Sequence, residues 1–468
     1  MTPRGRTFVT VNSADNGGGA ERIARQLHEN YLANGEDAWL AVGIRRGDDA
    51  RTVEVPNRAR RSPWTRGCLR VADALPAGGA AGRLGRAVRE RMASPRRWRA
   101  RQRGEEDFDF PGTSAIPTIG GRPAAALHLH NLHGGYFDLR QLPAMTGATP
   151  TLISLHDAWL TTGHCSHGFD CERWETGCGA CPYLWSYPAT PRDDTARNWV
   201  RKRELLSRSR LSVGVPCEWL ADRVRRSILA PAVRELRVIP YGVDLDFYTP
   251  SDRRAARIAL GLDPDRPMFL CHDNCLRERT FKDGAQFRGA LERVGAAAAG
   301  AQWIALGAPG DDVRLGNVTL RRFSAGADDA TVVRLLQAAD AYVHPARADT
   351  SPLSVLEALA CGTPVVATAV GGIPEQLKSG GLAGAIDTAR GAAPTGAVVP
   401  GGDAGALAAV LDAFAQREGA WRAALGHEAR RDAERRFDRR RHERDYLEWM
   451  RSLAAEPANG AAGTEPRT

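Results

Sequence analysis

The chain has 468 residues, 43% of them hydrophobic and 25% charged, with nine cysteines and a formal net charge of +9. That length predicts two or three domains with real cores and excludes a small disulfide-stapled module. No run of about 18 uncharged apolar residues is present, which excludes a membrane-spanning helix. The start Met1-Thr2-Pro3-Arg4-Gly5-Arg6 leads into a β-like run and not a signal peptide, so a cytoplasmic location is expected and the cysteines read as thiols or metal ligands.

Thr7 to Asn12 is a predicted strand. It is followed by the loop Asn16-Gly17-Gly18-Gly19-Ala20-Glu21, a helix over Arg22 to Ala33 with Ile23, Leu27 and Tyr31 on one face, and a second strand over Ala38 to Val42. This is a βαβ opening. Its glycines do not form the dinucleotide fingerprint, and no acid closes the second strand where an NAD ribose needs one. Gly18 and Gly19 therefore read either as a tight turn or as a ligand cradle.

The charge is local. Between Arg58 and Arg103 fourteen arginines face two acids, Asp73 and Glu90, so this segment carries +12 and the rest of the chain about −3. A helix is expected over Gly82 to Arg103, with Leu84, Val88, Met92 and Trp98 as its apolar positions. Such a patch suits phospholipid headgroups, a phosphorylated acceptor or nucleic acid, or else it is a solvated insertion between strands.

Further on, predicted strands over Ala125 to Leu129 and Thr151 to Leu155 run into His130-Asn131-Leu132-His133 and His156-Asp157-Ala158-Trp159. Polar residues at the carboxyl ends of parallel strands lie where open α/β sheets bind ligands, which singles out His133, His156 and Asp157. Cys165, Cys171, Cys178 and Cys181 follow with the spacing Cys-x5-Cys-x6-Cys-x2-Cys. The Cys178-Gly179-Ala180-Cys181 knuckle suits a tetrahedral metal, and four thiolates would make a closed structural zinc site. An iron–sulfur cluster, reversible disulfides and unligated thiols remain alternatives.

A helix is expected from Glu218, then a strand over Leu236 to Pro240 running into Tyr241-Gly242-Val243-Asp244. A second domain opens with the strand Met268 to His272 and the segment Arg277-Glu278-Arg279-Thr280-Phe281-Lys282-Asp283-Gly284. Arg277 can hold a diphosphate bidentately and Lys282 as a point charge, so the pair can stabilise a nucleoside diphosphate leaving group without a divalent metal. Strands or turns are expected at Trp303 to Leu306 and Ala341 to His344, and a helix over Val332 to Ala338. Asp349 and Glu357 then bracket a loop and a short helix. The first N–H groups of that helix, at Leu353 and Ser354, can cradle a diphosphate while Glu357 receives neighbouring hydroxyls. Polar helices are expected from about Glu418 to Leu453, with Trp421, Leu425, Phe437, Tyr446 and Trp449 facing inward. The Ala-, Pro- and Gly-rich tail reads as disordered.

These landmarks resemble the retaining glycosyltransferases of the GT-B fold, in particular family 4, whose Glu-x7-Glu signature is matched here by Asp349 and Glu357. Gly371-Gly372-Ile373-Pro374-Glu375 is similar to the family's Gly-Gly-x-x-Glu, and Phe169-Asp170-Cys171-Glu172-Arg173-Trp174 to a Cys-rich insertion of a bacterial subgroup. The usual Gly-Phe-Gly after the first acid is replaced by Thr350-Ser351-Pro352. The resemblance implies an α/β protein of two Rossmann-like domains facing across a cleft. It places an acceptor-side domain over 1–245, with the basic insertion at 58–103 and the Cys-rich loop at 164–181. A nucleotide-sugar domain over 246–425 follows, then a helix over 426–453 bracing the first domain and a tail over 454–468. It implies donor binding by Gly18, Gly19, Arg277, Lys282, Asp349, Leu353, Ser354 and Glu357, and catalysis involving His133, Lys282 and Arg277. The acceptor side is assigned to His133, His156 and Asp157. The reaction implied is transfer of a sugar from a nucleoside diphosphate, UDP for example, to a hydroxyl of a saccharide or another acceptor with retention of configuration. No catalytic metal is implied, and the protein is expected in the cytoplasm or at the inner face of an anionic membrane. A nucleotide-dependent epimerase or oxidoreductase is the alternative. A nucleic-acid-binding protein is disfavoured because only Trp64 and Trp98 interleave the arginines.

Overall fold

The computed structural model describes residues 5–277, 281–307, 309–324 and 328–455. They form two compact units. The first comprises the described residues up to Val215, Ala221–Val238 and those from Asp445. The second comprises Pro216–Leu220 and Ile239–Arg444.

In the first unit seven strands form one sheet: β1 (Thr7–Ala14), β2 (Asp37–Ile44), β3 (Thr52–Glu54), β4 (Ala126–Leu129), β5 (Thr151–Ser154), β6 (Leu211–Val215) and β7 (Val233–Val238). Their order is β3-β2-β1-β4-β5-β6-β7, and every pairing is parallel. The sequence explains the layering: β4, β5 and β6 are buried at every position, as strands covered on both faces must be. Helix α1 (Gly19–Ala33) crosses from β1 to β2 and buries Ile23, Leu27 and Tyr31. The order reverses between β1 and β4, and a crevice for ligands opens at the carboxyl ends of strands beside such a switch point.

The basic insertion between β3 and β4 is a small helical body of its own. Helix α2 (Pro63–Ala74) is capped by Ser62, and helix α3 (Gly79–Ala87) continues into a π-turn over Val88–Met92. Helix α4 (Pro95–Gln102) follows. Cys68, Ala72, Val88 and Ala93 make a separate miniature core. The single helix expected over 82–103 is therefore broken, because Pro95 cannot continue the preceding turn and restarts a helix at its first position. Leu84 and Met92, expected on its apolar face, are exposed instead.

The second unit repeats the plan. Its strands are β8 (Met268–His272), β9 (Gln302–Gly307), β10 (Val313–Leu315), β11 (Val318–Ser324), β12 (Ala341–His344), β13 (Val365–Thr368) and β14 (Gly396–Val399). The order is β10-β11-β9-β8-β12-β13-β14, parallel except for the β10–β11 hairpin. Phe269, Phe287, Trp303 and Phe414 lie in its core. The switch point lies between β8 and β12.

The helix expected over 426–453 is two helices, Gly419–Arg436 and Arg439–Leu453. Between them Phe437 leaves the helix because its carbonyl accepts from Val243 N (2.8 Å) and Asp438 bridges to Val243. The chain from Asp445 on belongs to the first unit. There Tyr446 stacks on His128 with ring centroids 5.2 Å apart, and Trp449 Nε1 donates to Glu235 (2.8 Å).

Candidate active site

The carboxyl ends of β8 and β12 carry the predicted donor residues. An isolated antiparallel bridge between Lys282 and Ala346 brings the loop after β8 against the loop after β12. Lys282 Nζ then donates to Asp349 Oδ2 (2.8 Å) and to His344 Nε2 (2.8 Å), and His344 Nε2 lies 3.2 Å from the same carboxylate oxygen. Burial would raise the Asp349 carboxyl, but the Lys282 charge and His344 hold it well below the usual carboxylate range. Burial and the adjacent ammonium push His344 down to about 4, so its ring is neutral near pH 7. With Nε2 accepting from Lys282, the ring proton sits on Nδ1, which faces the Tyr342 hydroxyl (3.1 Å). That hydroxyl donates to Ser354 Oγ (3.1 Å).

Ser354 and Leu353 open the helix Leu353–Ala360, whose first-turn N–H groups lack partners within the helix, and Glu357 is buried one turn further on. The loop before this helix is clamped by Gly371. At φ +55° it presses so close that a Cβ there would lie 1.7 Å from the Asp349 carbonyl oxygen, a position only glycine tolerates. Glu375, four residues on, accepts from the backbone N–H groups of Glu218 (2.7 Å) and Trp219 (2.8 Å).

Arg277 does not join Lys282. Its guanidinium pairs with Asp273 (3.2 Å), and its side chain is 62% exposed. Glu278, Arg279 and Thr280 of the predicted cationic segment lie outside the described residues. Sequence reasoning also passed over His344 and Tyr342. Their signal was position: His344 ends a buried strand immediately before the loop, where ligand-facing residues stand.

In the first unit the Gly18 and Gly19 turn is exposed and opens α1, but its N-terminus already has a partner. Glu21 accepts from Gly18 N (2.9 Å) and from Ser13 Oγ (2.8 Å). After β4 and β5, His133 Nε2 donates to Asp157 Oδ2 (2.8 Å), so in neutral His133 the lone pair is on Nδ1, 3.4 Å from the Tyr187 hydroxyl. Against its burial, the charge and hydrogen bond of His133 hold Asp157 down to about 2, keeping it ionised. His156 lies beside this dyad, close enough to feel the charges of both members. Its Nε2 lies 2.8 Å from His130 Nδ1, their rings stack, and burial lowers it to about 4, leaving it neutral near pH 7. Trp159, which the sequence placed only inside a motif, meets His133 edge-on at 5.5 Å.

The four motif cysteines, Cys165, Cys171, Cys178 and Cys181, line one small pocket with His164 and Arg223. Cys178 and Ala180 adopt left-handed backbone, and burial pushes the Cys165 thiol up to about 12. Among the described residues no group of three or more His, Cys, Asp or Glu side chains is arranged to hold a metal ion.

Residues 321–432 match the model of the family described as Glycosyl transferases group 1. The chain is 36% identical over 200 residues to D-inositol 3-phosphate glycosyltransferase of Mycobacterium sp. (strain KMS), covering 41% of this chain and 42% of that one. It is 30% identical over 285 residues to WcaC of Escherichia coli K12, described as a colanic acid biosynthesis glycosyl transferase, covering 54% of this chain and 62% of that one. It thus spans about two to three fifths of these relatives. The Anabaena HepE structure in complex with UDP and glucose superposes with a TM-score of 0.56 at 16% identity, covering 96% of this chain and all of that one.

Residues 321–432 thus match a group 1 glycosyl transferase domain, and the likeness to solved structures gives the chain a GT-B fold. The matched domain holds His344, Asp349, Leu353, Ser354 and Glu357, while Lys282 lies upstream of the match and reaches them through the Ala346 bridge.

Proposed function

We propose that the protein is a retaining glycosyltransferase of family 4 type, moving a sugar from a nucleoside diphosphate to an acceptor hydroxyl in saccharide, glycolipid or natural-product biosynthesis. The observation that carries this reading is the Lys282–His344–Asp349 cluster. It stands at the switch point of the second sheet, directly ahead of the Leu353–Ala360 helix. A fixed ammonium and a helix N-terminus in one place suit a diphosphate, and Glu357 one turn in suits ribose hydroxyls. A UDP-linked donor is favoured by the structural likeness to the Anabaena protein solved with UDP and glucose.

In the reaction, the acceptor oxygen bonds to the anomeric carbon as the bond from that carbon to the diphosphate breaks. The leaving group takes the electron pair and then the hydroxyl proton, a front-face displacement that needs no enzyme nucleophile. Lys282, with Arg277 at the exposed edge, supplies positive charge where the leaving group develops negative charge, so no divalent cation is required. His133, oriented by Asp157, presents Nδ1 as a hydrogen-bond acceptor on the acceptor side. The four cysteines are not arranged around a metal position here, but they share one pocket and carry the knuckle, and we assign them to one structural zinc that would draw their thiolates together on binding.

The basic insertion is assigned to an anionic membrane surface. Trp64 (64% exposed) and Val71 (56%) on α2, Leu84 (54%) on α3 and Met92 (49%) in the π-turn project among arginines, the composition of an interfacial helix. Among the described residues no helix is long and apolar enough to cross a membrane. The test of the transferase reading is a panel of nucleotide sugars. One donor should be hydrolysed slowly and protect the chain against melting, and protection by none would refute the reading.

A further inference from the structure

A cavity of about 490 Å³ lies wholly within the first unit. Its size suits a small ligand of one or two sugar rings. One wall is the Rossmann-like core, with His133, Phe137 and Trp159. The facing wall is not. It is the end of α4, with Arg97 and Arg101, and the strap from Gly104 to Phe110 that leads out of the basic insertion.

The strap is pinned. Gly104, at φ +88°, lies where a Cβ would stand 2.1 Å from the Arg192 carbonyl oxygen. Asn198 donates to the Gly104 carbonyl (2.8 Å) and accepts from Glu106 N (2.9 Å), and Arg201 donates to the Glu106 carbonyl (3.1 Å) while lying over the Phe108 ring. Glu106 Oε1 accepts from Trp159 Nε1 (2.6 Å), and its other oxygen pairs with the fully buried Lys202 (3.0 Å), whose ammonium sits 3.7 Å from the Trp159 ring centre. A buried ammonium is tolerated only when so compensated. Lys202 thus fixes both the strap and the Trp159 wall beside His133.

The charges on this lining nearly cancel. Arg97 pairs with Asp107, Glu105 with Arg103 (2.6 Å) and Arg197 (3.4 Å), and Glu106 with Lys202. Burial lowers His164 to about 4, leaving it neutral. Arg101, exposed on the last turn of α4, has no ion-pair partner among the described residues. Phe108, Phe110, Phe137 and Trp159 are buried aromatic walls that suit the C–H faces of a pyranose, and Tyr187, 47% exposed, stands beside His133. Arg101 is thus an unpaired positive charge at the edge of an aromatic, hydrogen-bonding chamber lined by His133.

We propose that this cavity is the acceptor site and that it takes a saccharide carrying one anionic group, which Arg101 holds while a hydroxyl meets His133. The basic insertion then sets acceptor specificity as well as surface charge. The proposal rests on the transferase reading above.

Its test is saturation-transfer NMR on the full chain with three probes, methyl glucoside, glucuronate and glucose 6-phosphate, and with inorganic phosphate as a competitor. Glucuronate or glucose 6-phosphate should bind at least roughly tenfold more tightly than methyl glucoside, a difference of about 1.4 kcal/mol, and which of the two leads separates carboxylate from phosphate recognition. Arg101→Glu should erase that preference, and Arg101→Lys should restore most of it. Since Arg101 is exposed, neither change threatens folding. Equal affinity for neutral and anionic sugars, no binding by any sugar, a preference that survives Arg101→Glu, or inorganic phosphate competing as well as the sugar phosphate would each overturn the proposal. A parallel titration with UDP-glucose reads the other claim. Anionic sugars that bind to a chain showing no donor binding would overturn the transferase reading while leaving the cavity an anionic-sugar site.

Discussion

The two units reach their polar clusters by opposite routes. In the second, Lys282, His344 and Asp349 come from two loops joined by one backbone bridge, and the cluster is charged: an ammonium beside an ionised carboxylate and a neutral ring. In the first, His133 of the His133–Asp157 dyad lines a chamber whose far wall arrives from a helical insertion and is held by a buried Lys202 on a distant helix. The second unit's arrangement is electrostatic, suited to a group common to many substrates, such as a diphosphate. The first unit's is shape-dependent, with a wall borrowed from an insertion, suited to the part of the reaction that distinguishes one substrate from another.

If that division is right, the largest loss belongs to the second unit. Lys282→Ala should lower kcat/KM by roughly a hundredfold, about 2.7 kcal/mol of transition-state stabilisation, and it should do so with every acceptor alike. Glu357→Ala should cost at least tenfold, mostly through weaker donor binding. Steady-state kinetics with the true donor check both, and wild-type rates in either variant would remove the cluster from the chemistry.

Asp157→Asn sharpens the other half. Without an ionised partner His133 loses the hydrogen bond that places its proton on Nε2, and transfer should fall by roughly tenfold while donor affinity, read by titration, stays within about twofold. An equal loss of donor affinity would contradict the separation of roles.

Acid stability probes the two clusters together. His156 and His344 are each held near 4 in the fold, against about 6.5 when unfolded. Between those values the unfolded chain binds more protons, so stability rises with pH across the window and is lost as pH falls from about 6.5 to 4. Asp157, held near 2, adds a further loss below about 3.8. Melting temperature against pH should show this slope, and His156→Gln, which removes one titrating ring, should flatten it between pH 4 and 6.5.

Two smaller effects concern the insertions. Protein purified without chelators should contain close to one zinc per chain, and Cys178→Ser should lower both zinc content and thermal stability. Absence of metal with unchanged stability would return the four thiols to simple packing. Replacing Arg66, Arg70, Arg83 and Arg86 by Gln should abolish co-sedimentation with anionic liposomes at low salt and leave donor hydrolysis unchanged, because these exposed charges are screened over roughly 8 Å at 0.15 M salt.

The same contrast explains what the sequence disclosed. The donor loop was legible because a strand end, a helix start and a carboxylate eight residues from its partner are local facts, and backbone geometry brings them together. The histidine pairs were half legible: position at strand ends singled out His133 and Asp157, but periodicity could not say that His156 would stack on His130 and stay out of the dyad. The pairing of Arg277 with Asp273, four residues before it, was not legible, because spacing does not record which of several near partners a side chain takes. The strap from Gly104 to Phe110 left no signal, since its partners Asn198, Arg201 and Lys202 lie some ninety residues away and read as an ordinary polar helix. The insertion was read as one helix because hydrophobic spacing outweighed the Ser94-Pro95 break.

The most direct test of the account is calorimetric titration of UDP into the wild type and into Lys282→Ala in the presence of EDTA. The account predicts binding by the wild type without any divalent cation and at least roughly tenfold weaker binding by the variant, with Asp157→Asn indistinguishable from wild type. Binding that appears only when magnesium or manganese is added, or that is equal in wild type and Lys282→Ala, would contradict it.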